Sequence, residues 1–221
     1  MRADFALLIL LGIGTLISFS WLCLLGKRLG MRWYAALPIA LLHTLYGVVT
    51  VKAFAFLETG FAEGSFDNMS LFGGVFFMPV AYWLGAKLFK RKVTDVFDIF
   101  SICMISTVMC ARINCIIAGC CSGLLIPGTS GLHWPTREME ILFYIILLVW
   151  LGHRIINQQT NGTAYPIYMI AYGVFRFFVE FLRYSEHSFG IFHISHLWAM
   201  LSFCIGLSFY AELRSKKKVR R

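Results

Sequence analysis

Seven apolar runs, at 5–25, 34–57, 71–89, 96–117, 141–151, 165–182 and 194–213, take up most of this chain. A mostly apolar run of about 20 residues can cross a hydrocarbon core of about 30 Å as a helix. Inside that core every backbone N–H and C=O must be paired within the segment, which a helix achieves and an open strand or loop does not. Composition agrees: 59% of residues are hydrophobic and only 14% are charged, where water-soluble domains carry about a quarter. The expected fold is all-α, a polytopic integral membrane helical bundle of about seven transmembrane helices forming one domain over residues 1–221. The run at 141–151 is short for a span unless its flanks join the helix. The first run is too long for a signal-peptide core and no small-x-small cleavage site follows it, so it is expected to stay in the membrane.

The charges sort by loop. Lys27, Arg28 and Arg32 follow the first run, Lys87, Lys90, Arg91 and Lys92 the third, Arg154 the fifth, and the tail RSKKKVRR (214–221) the seventh. Basic residues are retained on the cytoplasmic side, so the pattern predicts an N-terminus outside and a C-terminus in the cytoplasm. The loop ETGFAEGSFDNMS, with Glu58, Glu63 and Asp67, then faces out, together with the cysteine-rich loop and YSEHSFGIFH. The net charge of +9 is accounted for by topology signals and by a basic tail on anionic lipid. No nucleic-acid-binding motif is present, and no nucleic-acid partner is expected.

Charged side chains within spans are costly and mark functional or paired positions. The sixth run reads YPIYMIAYGVFRFFVEFLRYSEH. In it Tyr172, Arg176, Glu180 and Arg183 fall on one helical stripe. One reading is a self-satisfied ladder in which Glu180 neutralises its neighbours, with Arg183 snorkelling from the helix end. The other joins Arg176 to Arg112, which ends the fourth run. Two guanidinium forks in an outward-facing cavity suit an anionic phosphate headgroup. In HWPTREMEILF, Trp134 reads as an interfacial anchor, and Arg137 and Glu140 can pair at i, i+3. Glu140 is either the counter-ion of an arginine or a base. His193 and His196 in FHISHLW are candidate headgroup contacts or an acid–base pair. His196, one turn inside the last run, is the preferred one.

Of seven cysteines, Cys23, Cys103, Cys110 and Cys204 lie in apolar runs, where a free thiol behaves as a small hydrophobe. Cys115, Cys120 and Cys121 cluster in ARINCIIAGCCSG. C-x4-C-C departs from the paired spacing usual for zinc, so no metal and no cofactor is expected. Three readings stand: a disulfide on an oxidising outer face, packed thiols in a tight loop, or a thiol that itself receives or relays lipid, activated by Arg112.

YGVFRFFVEFLR resembles the late-helix signature Y-G-x-x-R-F-x-x-E-F-x-R of the bacterial prolipoprotein diacylglyceryl transferases, and ARINCIIAGCCSG resembles their G-R-x-G-N-x-x-N-G-E-x-x-G signature. SLFGGVFF is similar to their glycine pair, and WPTREMEI to their proline-to-glutamate segment. The resemblance runs over about 70–206. It implies transfer of a diacylglyceryl group from phosphatidylglycerol to a cysteine thiol of a lipoprotein precursor, at the outer face of a bacterial cytoplasmic membrane. By motif position Arg112 and Arg176 match the essential arginines, Gly123 the loop glycine, and Glu180 and Arg183 the end of the helix motif. The expected catalytic set is Arg112, Arg176, Glu140 and His196. The expected substrate-binding set is Asn114, Cys115, Gly123, Tyr172, Glu180, Arg183, Gly73 and Gly74. Departures are plain: Ala111 and Asn114 stand for glycines, Cys115 and Ala118 for asparagines, Cys120 for an acidic residue, and Phe72 for the histidine or tyrosine ahead of the glycine pair. They motivate two alternatives, an enzyme of the same fold with a different acceptor, and a non-catalytic anionic-lipid-binding membrane protein.

Overall fold

The computed structural model describes residues 3–61, 68–183, 188–189 and 192–219. Within these it is helical: α1 (Ala3–Leu25), a 3-10 turn (Gly26–Leu29), α2 (Trp33–Glu58), α3 (Phe72–Leu88), α4 (Val93–Ala118), α5 (Thr136–Ile156), α6 (Ala164–Glu180) and α7 (Ile194–Val219). Two two-residue strands, β1 (Ser188–Phe189) and β2 (Phe192–His193), pair antiparallel just before α7. Five helices (α1, α2, α4, α5 and α7) are long and apolar enough to cross a membrane. α3 and α6 have 17 residues each. The run at 141–151 extends at both ends into α5, because the polar Thr136–Glu140 segment is helical too. The acidic-loop residues Glu63 and Asp67 lie outside the described residues.

The bundle is apolar outside as well as inside, with polar side chains buried among the apolar core. Its outside carries Leu8, Leu16, Leu24, Leu42, Val49, Val149, Leu197 and Met200, a continuous apolar surface of the kind that lipid covers. Its inside holds Thr15, Ser18, Thr44, Asp98, Ser106, Glu140, Arg176, Glu180 and Ser202. Small hydroxyls join the helices: Thr15 Oγ1 meets Thr44 Oγ1 at 2.9 Å, and Ser18 Oγ donates to the Cys103 carbonyl at 3.1 Å. Such contacts hold helices together where no hydrophobic drive separates protein from lipid. α4 is the central element, packing on α1, α3, α5 and α6, while α6 packs chiefly on α7. Cys103 and Cys110 are buried on α4, whereas Cys23 and Cys204 face outward among apolar side chains. Burial of all four as core hydrophobes therefore holds for two.

Close approach of α3 to α2 needs Gly73. A Cβ there would overlap the Thr50 carbonyl and meet Phe54 Cβ at 2.7 Å. At Gly74 the nearest atom would be Val51 Cγ1 at 3.8 Å. The first glycine of the pair is thus a packing requirement and the second is not.

At the end of the bundle opposite Arg112, the buried Asp98 carboxylate organises the entry to α6. It accepts from Thr160 Oγ1 at 2.6 Å and from the Gly162 and Ala164 amides at 2.8 and 3.1 Å. These amides include orphan donors of a helix start. Arg28 bonds Asp95 at 2.6 Å and the Ile155 carbonyl at 3.0 Å, and lies 3.9 Å from Asp98. Arg28, which the charge pattern offers as a topology signal, also ties α1, α4 and α5 together. Asp98→Ala leaves three buried donors unpaired and is expected to cost about 3 kcal/mol or more. Asp95→Ala, in a partly exposed pair, should cost about 1 kcal/mol or less. Thermal unfolding of the detergent-solubilised protein checks the contrast.

Candidate functional site

Glu140, on the second turn of α5, is 2% exposed and surrounded by arginines. Arg176 Nη1 donates to its Oε1 at 2.7 Å and Arg183 Nη1 to the same oxygen at 3.0 Å. Arg112 Nε lies 2.8 Å from Oε2, close as an ion pair although not aligned as a hydrogen bond. One carboxylate thus gathers guanidinium groups from α4, from α6 and from the segment just beyond α6. Glu180 forms an i, i+4 pair with Arg176 Nη2 at 2.8 Å and lies 3.7 Å from His193 Nδ1. Of the ladder expected along α6 the Arg176–Glu180 rung forms, while Arg183 pairs with Glu140, which Arg176 also contacts. The i, i+3 pairing of Arg137 with Glu140 does not form: Arg137 Nη1 points to the Cys115 carbonyl at 3.5 Å, because three other arginines already occupy Glu140.

Counting Arg112, Arg137, Arg176 and Arg183 against Glu140 and Glu180 leaves two positive charges in excess. Within the same region Asn114 Oδ1, Arg137 Nε, Tyr144 Oη and Arg176 Nε are buried without a hydrogen-bond partner among the described residues. Buried polar atoms are rarely left so. Asn114 Oδ1 is a spare acceptor, whereas the cationic excess and the spare donors Arg137 Nε, Tyr144 Oη and Arg176 Nε suit an anion.

The remaining expected residues fall into place around this cluster. Tyr172 is buried, stacked on Tyr168 with ring centroids 5.8 Å apart, and its other contact is the edge of Phe72 at 5.7 Å. Phe72 therefore brings the start of α3 against the site stripe. Gly123 is wedged: a Cβ would sit 2.5 Å from the Trp134 carbonyl and 2.8 Å from that of Leu182. Its backbone pairs with Arg183, which places the cysteine loop against the last arginine. Gly73 packs helices, as described, and Gly74 borders an apolar crevice between α1, α2, α3 and α4. His196 Nδ1 accepts from the His193 amide at 2.9 Å. That is the N3 residue of α7 reaching back to the N-cap amide, and the other ring nitrogen then carries the proton. The ring sits among Phe177, Phe181 and Phe192. The expected base thus already uses its lone pair as a helix cap.

The three loop cysteines converge. Cys115 is on the last turn of α4, and their Sγ atoms all lie within 4.8 Å of one another. The thiols are free. Arg112 Nη1 is 3.9 Å from Cys115 Sγ. The Cys121 thiol is pulled down to about 4, first by a hydrogen bond with the Cys115 thiol and then by the Arg183 and Arg112 charges, against the opposing effect of burial. The signal missed in the sequence is the chain reversal. Gly119 (φ 69°) and Cys121 (φ 58°) are both left-handed, which folds Cys120 and Cys121 back over Cys115.

The model of the family described as prolipoprotein diacylglyceryl transferase matches residues 18–211. The chain belongs to this family. Two bacterial relatives match over shorter stretches. The phosphatidylglycerol–prolipoprotein diacylglyceryl transferase 2 of Clostridium perfringens (strain 13 / Type A) is 33% identical over 88 residues, covering 33% of this chain and 33% of that protein. The phosphatidylglycerol–prolipoprotein diacylglyceryl transferase of Clostridium tetani (strain Massachusetts / E88) is 30% identical over 114 residues, covering 42% of this chain and 44% of that protein. The match thus spans between a third and under half of these relatives. Family membership and the arginine–glutamate cluster meet on the same segments, since Arg112, Glu140, Arg176 and Arg183 all fall within 18–211. Glu140→Gln removes the charge that orients three guanidinium groups and is expected to destabilise the bundle by about 3–5 kcal/mol. Extraction yield and unfolding temperature in detergent report it.

Proposed function

We propose that this family member is a membrane-embedded transferase that moves a diacylglyceryl group from phosphatidylglycerol to a cysteine thiol of a lipoprotein precursor. It acts from a seven-span bundle with the N-terminus outside, in the bacterial cytoplasmic membrane, with the site towards the outer leaflet. The single observation that carries this reading is the cluster of four arginines and two glutamates. Its two-charge excess suits the chemistry. A phosphodiester headgroup carries one negative charge, and the glycerol phosphate that departs gains a second as the glyceryl C–O bond breaks. A site with two positive charges to spare favours the departing form over the bound one, and only such differential binding accelerates the step.

Arg112 and Arg176 are assigned to the phosphate, with Arg183 beside them. Glu140 is the pivot that fixes their planes. Tyr172, Glu180 and Asn114 complete the wall, and Gly123 lets the cysteine loop close over it. The acceptor sulfur attacks the glyceryl carbon, a C–S bond forms, and the C–O bond to phosphate breaks. Neither Glu140, held by three arginines, nor His196, used as a cap, is assigned as the base. A second reading, an enzyme of this fold with another thiol-bearing acceptor, is favoured by Phe72, which is buried against Tyr172 at the position where the family resemblance implies a histidine or tyrosine.

The test is release of glycerol phosphate from labelled phosphatidylglycerol by the purified protein with a cysteine-bearing peptide. No release with any of several thiol acceptors would overturn the transferase reading. Arg176→Lys keeps the charge but loses the bidentate fork, and is expected to lower the rate about a hundredfold, roughly 3 kcal/mol. Arg183→Lys should be milder, because it lies nearer the loop. If Arg176 only balances Glu180, the double variant Arg176→Gln, Glu180→Gln will keep full activity.

A further inference from the structure

We propose that Cys115, Cys120 and Cys121 form a three-thiolate site for a zinc ion whose open fourth position takes the acceptor's thiol. This rests on the transferase reading and supplies what that reading lacks, a means of activating the sulfur. Phe72 offers no lone pair, His196 has committed its own, and Glu140 is enclosed by arginines.

The geometry fits zinc. Zn–S bonds of about 2.3 Å place tetrahedral sulfurs about 3.8 Å apart. The three Sγ atoms already lie within 4.8 Å of one another, so closure needs only side-chain rotation of about an ångström. The loop that carries them is held from both sides. The Cys121 carbonyl accepts from Thr136 Oγ1 at 3.1 Å, and the Cys115 carbonyl from Arg137 Nη1 at 3.5 Å. Left-handed backbone at Cys121 (φ 58°) is unfavourable for a residue with a Cβ, and here it aims the thiol back at its two companions. Three thiolates and one Zn²⁺ carry a net charge of −1, which takes up one of the two excess positive charges of the arginine cluster through Arg112, 3.9 Å from Cys115 Sγ, and leaves one for the phosphate. Three protein ligands with one open position is the pattern of a catalytic zinc, whereas structural sites are closed by four. A disulfide would bond two of these sulfurs and strand the third beside them.

The step balances. The acceptor thiol binds the open position and loses its proton to water, as metal-bound thiols do. The bound thiolate then attacks the glyceryl carbon, the C–S bond forms, and the C–O bond electrons leave with glycerol phosphate, whose charge the arginines take up. The product thioether, a neutral and weaker ligand, gives the position back. The metal is neither oxidised nor reduced, and the same ion serves the next turn.

The experiment uses the full-length protein in detergent, purified under reducing conditions. Zn²⁺ is expected to bind at one equivalent and, with Co²⁺ as a probe, to give the sulfur-to-metal charge-transfer absorption of three thiolates, rising towards four when a thiol peptide is added. Cys120→Ser should remove at least one thiolate from that spectrum. Cys23→Ser and Cys204→Ser, on the apolar exterior, should leave it unchanged. Chelation should abolish thioether formation, and Zn²⁺ should restore it. No stoichiometric metal binding, or fewer than three titratable thiols among these cysteines after reduction, overturns the proposal. Metal binding with transfer unaffected by chelation overturns the activation step. If the protein binds zinc and the peptide thiol but releases no glycerol phosphate, the transferase reading fails while the metal site stands.

Discussion

A carboxylate taken out of water needs compensation, and Glu140 receives it from three directions at once. Arg112, Arg176 and Arg183 converge on its two oxygens. None of these guanidinium groups could be buried alone, because an unpaired charge in such a setting costs several kcal/mol. The same contacts leave each arginine with donors to spare, since one carboxylate cannot saturate fifteen N–H groups, five for each guanidinium. One arrangement therefore does two things: Glu140 makes the cationic side chains tolerable inside the bundle and leaves edges of them unpaired, the edges to which the proposed function assigns the phosphate.

Other features serve that convergence. Asp98 fixes where α6 starts, and hence the height at which Arg176 emerges from it. Gly123 allows the loop after α4 to lie directly on Trp134 and Leu182, bringing the end of one helix to the end of another. Gly73 lets α3 approach α2, which puts Phe72 against Tyr172. Each of these positions lies away from the unpaired guanidinium edges and bears on the placement of a residue beside them.

The helices were largely legible in the sequence because apolar runs of membrane length leave few alternatives. The ends were harder. α5 begins five residues before its apolar run, at Thr136, because the polar flank that includes the buried Glu140 joins the helix. The stripe Tyr172, Arg176, Glu180 was readable from helical periodicity alone. Arg183 was placed on it by spacing, yet α6 ends at Glu180, and Arg183 reaches the cluster through its backbone pairing with Gly123. What no periodicity encodes is a chain reversal. The spacing of the three cysteines argued against zinc, and two left-handed residues bring their sulfurs together. His196 shows what a position alone leaves out: it lies in the first turn of α7, and its Nδ1 accepts from the His193 amide at the helix start.

The shortness of α3 and α6 bears on the bilayer itself. At about 1.5 Å per residue, 17 residues reach only about 26 Å, less than the roughly 30 Å of an average hydrocarbon core. Both helices present side chains to the outside, Val80, Trp83 and Leu84 on one and Val174 and Phe178 on the other. Lipids meeting them face a mismatch of a few ångströms, which is relieved by local thinning at a fraction of a kcal/mol per ångström. With a headgroup at the arginines, as proposed, thinning beside α6 would carry that leaflet inward towards them. Part of the vertical travel between headgroup and arginines would then be supplied by deformation of the solvent before any protein–lipid bond is made.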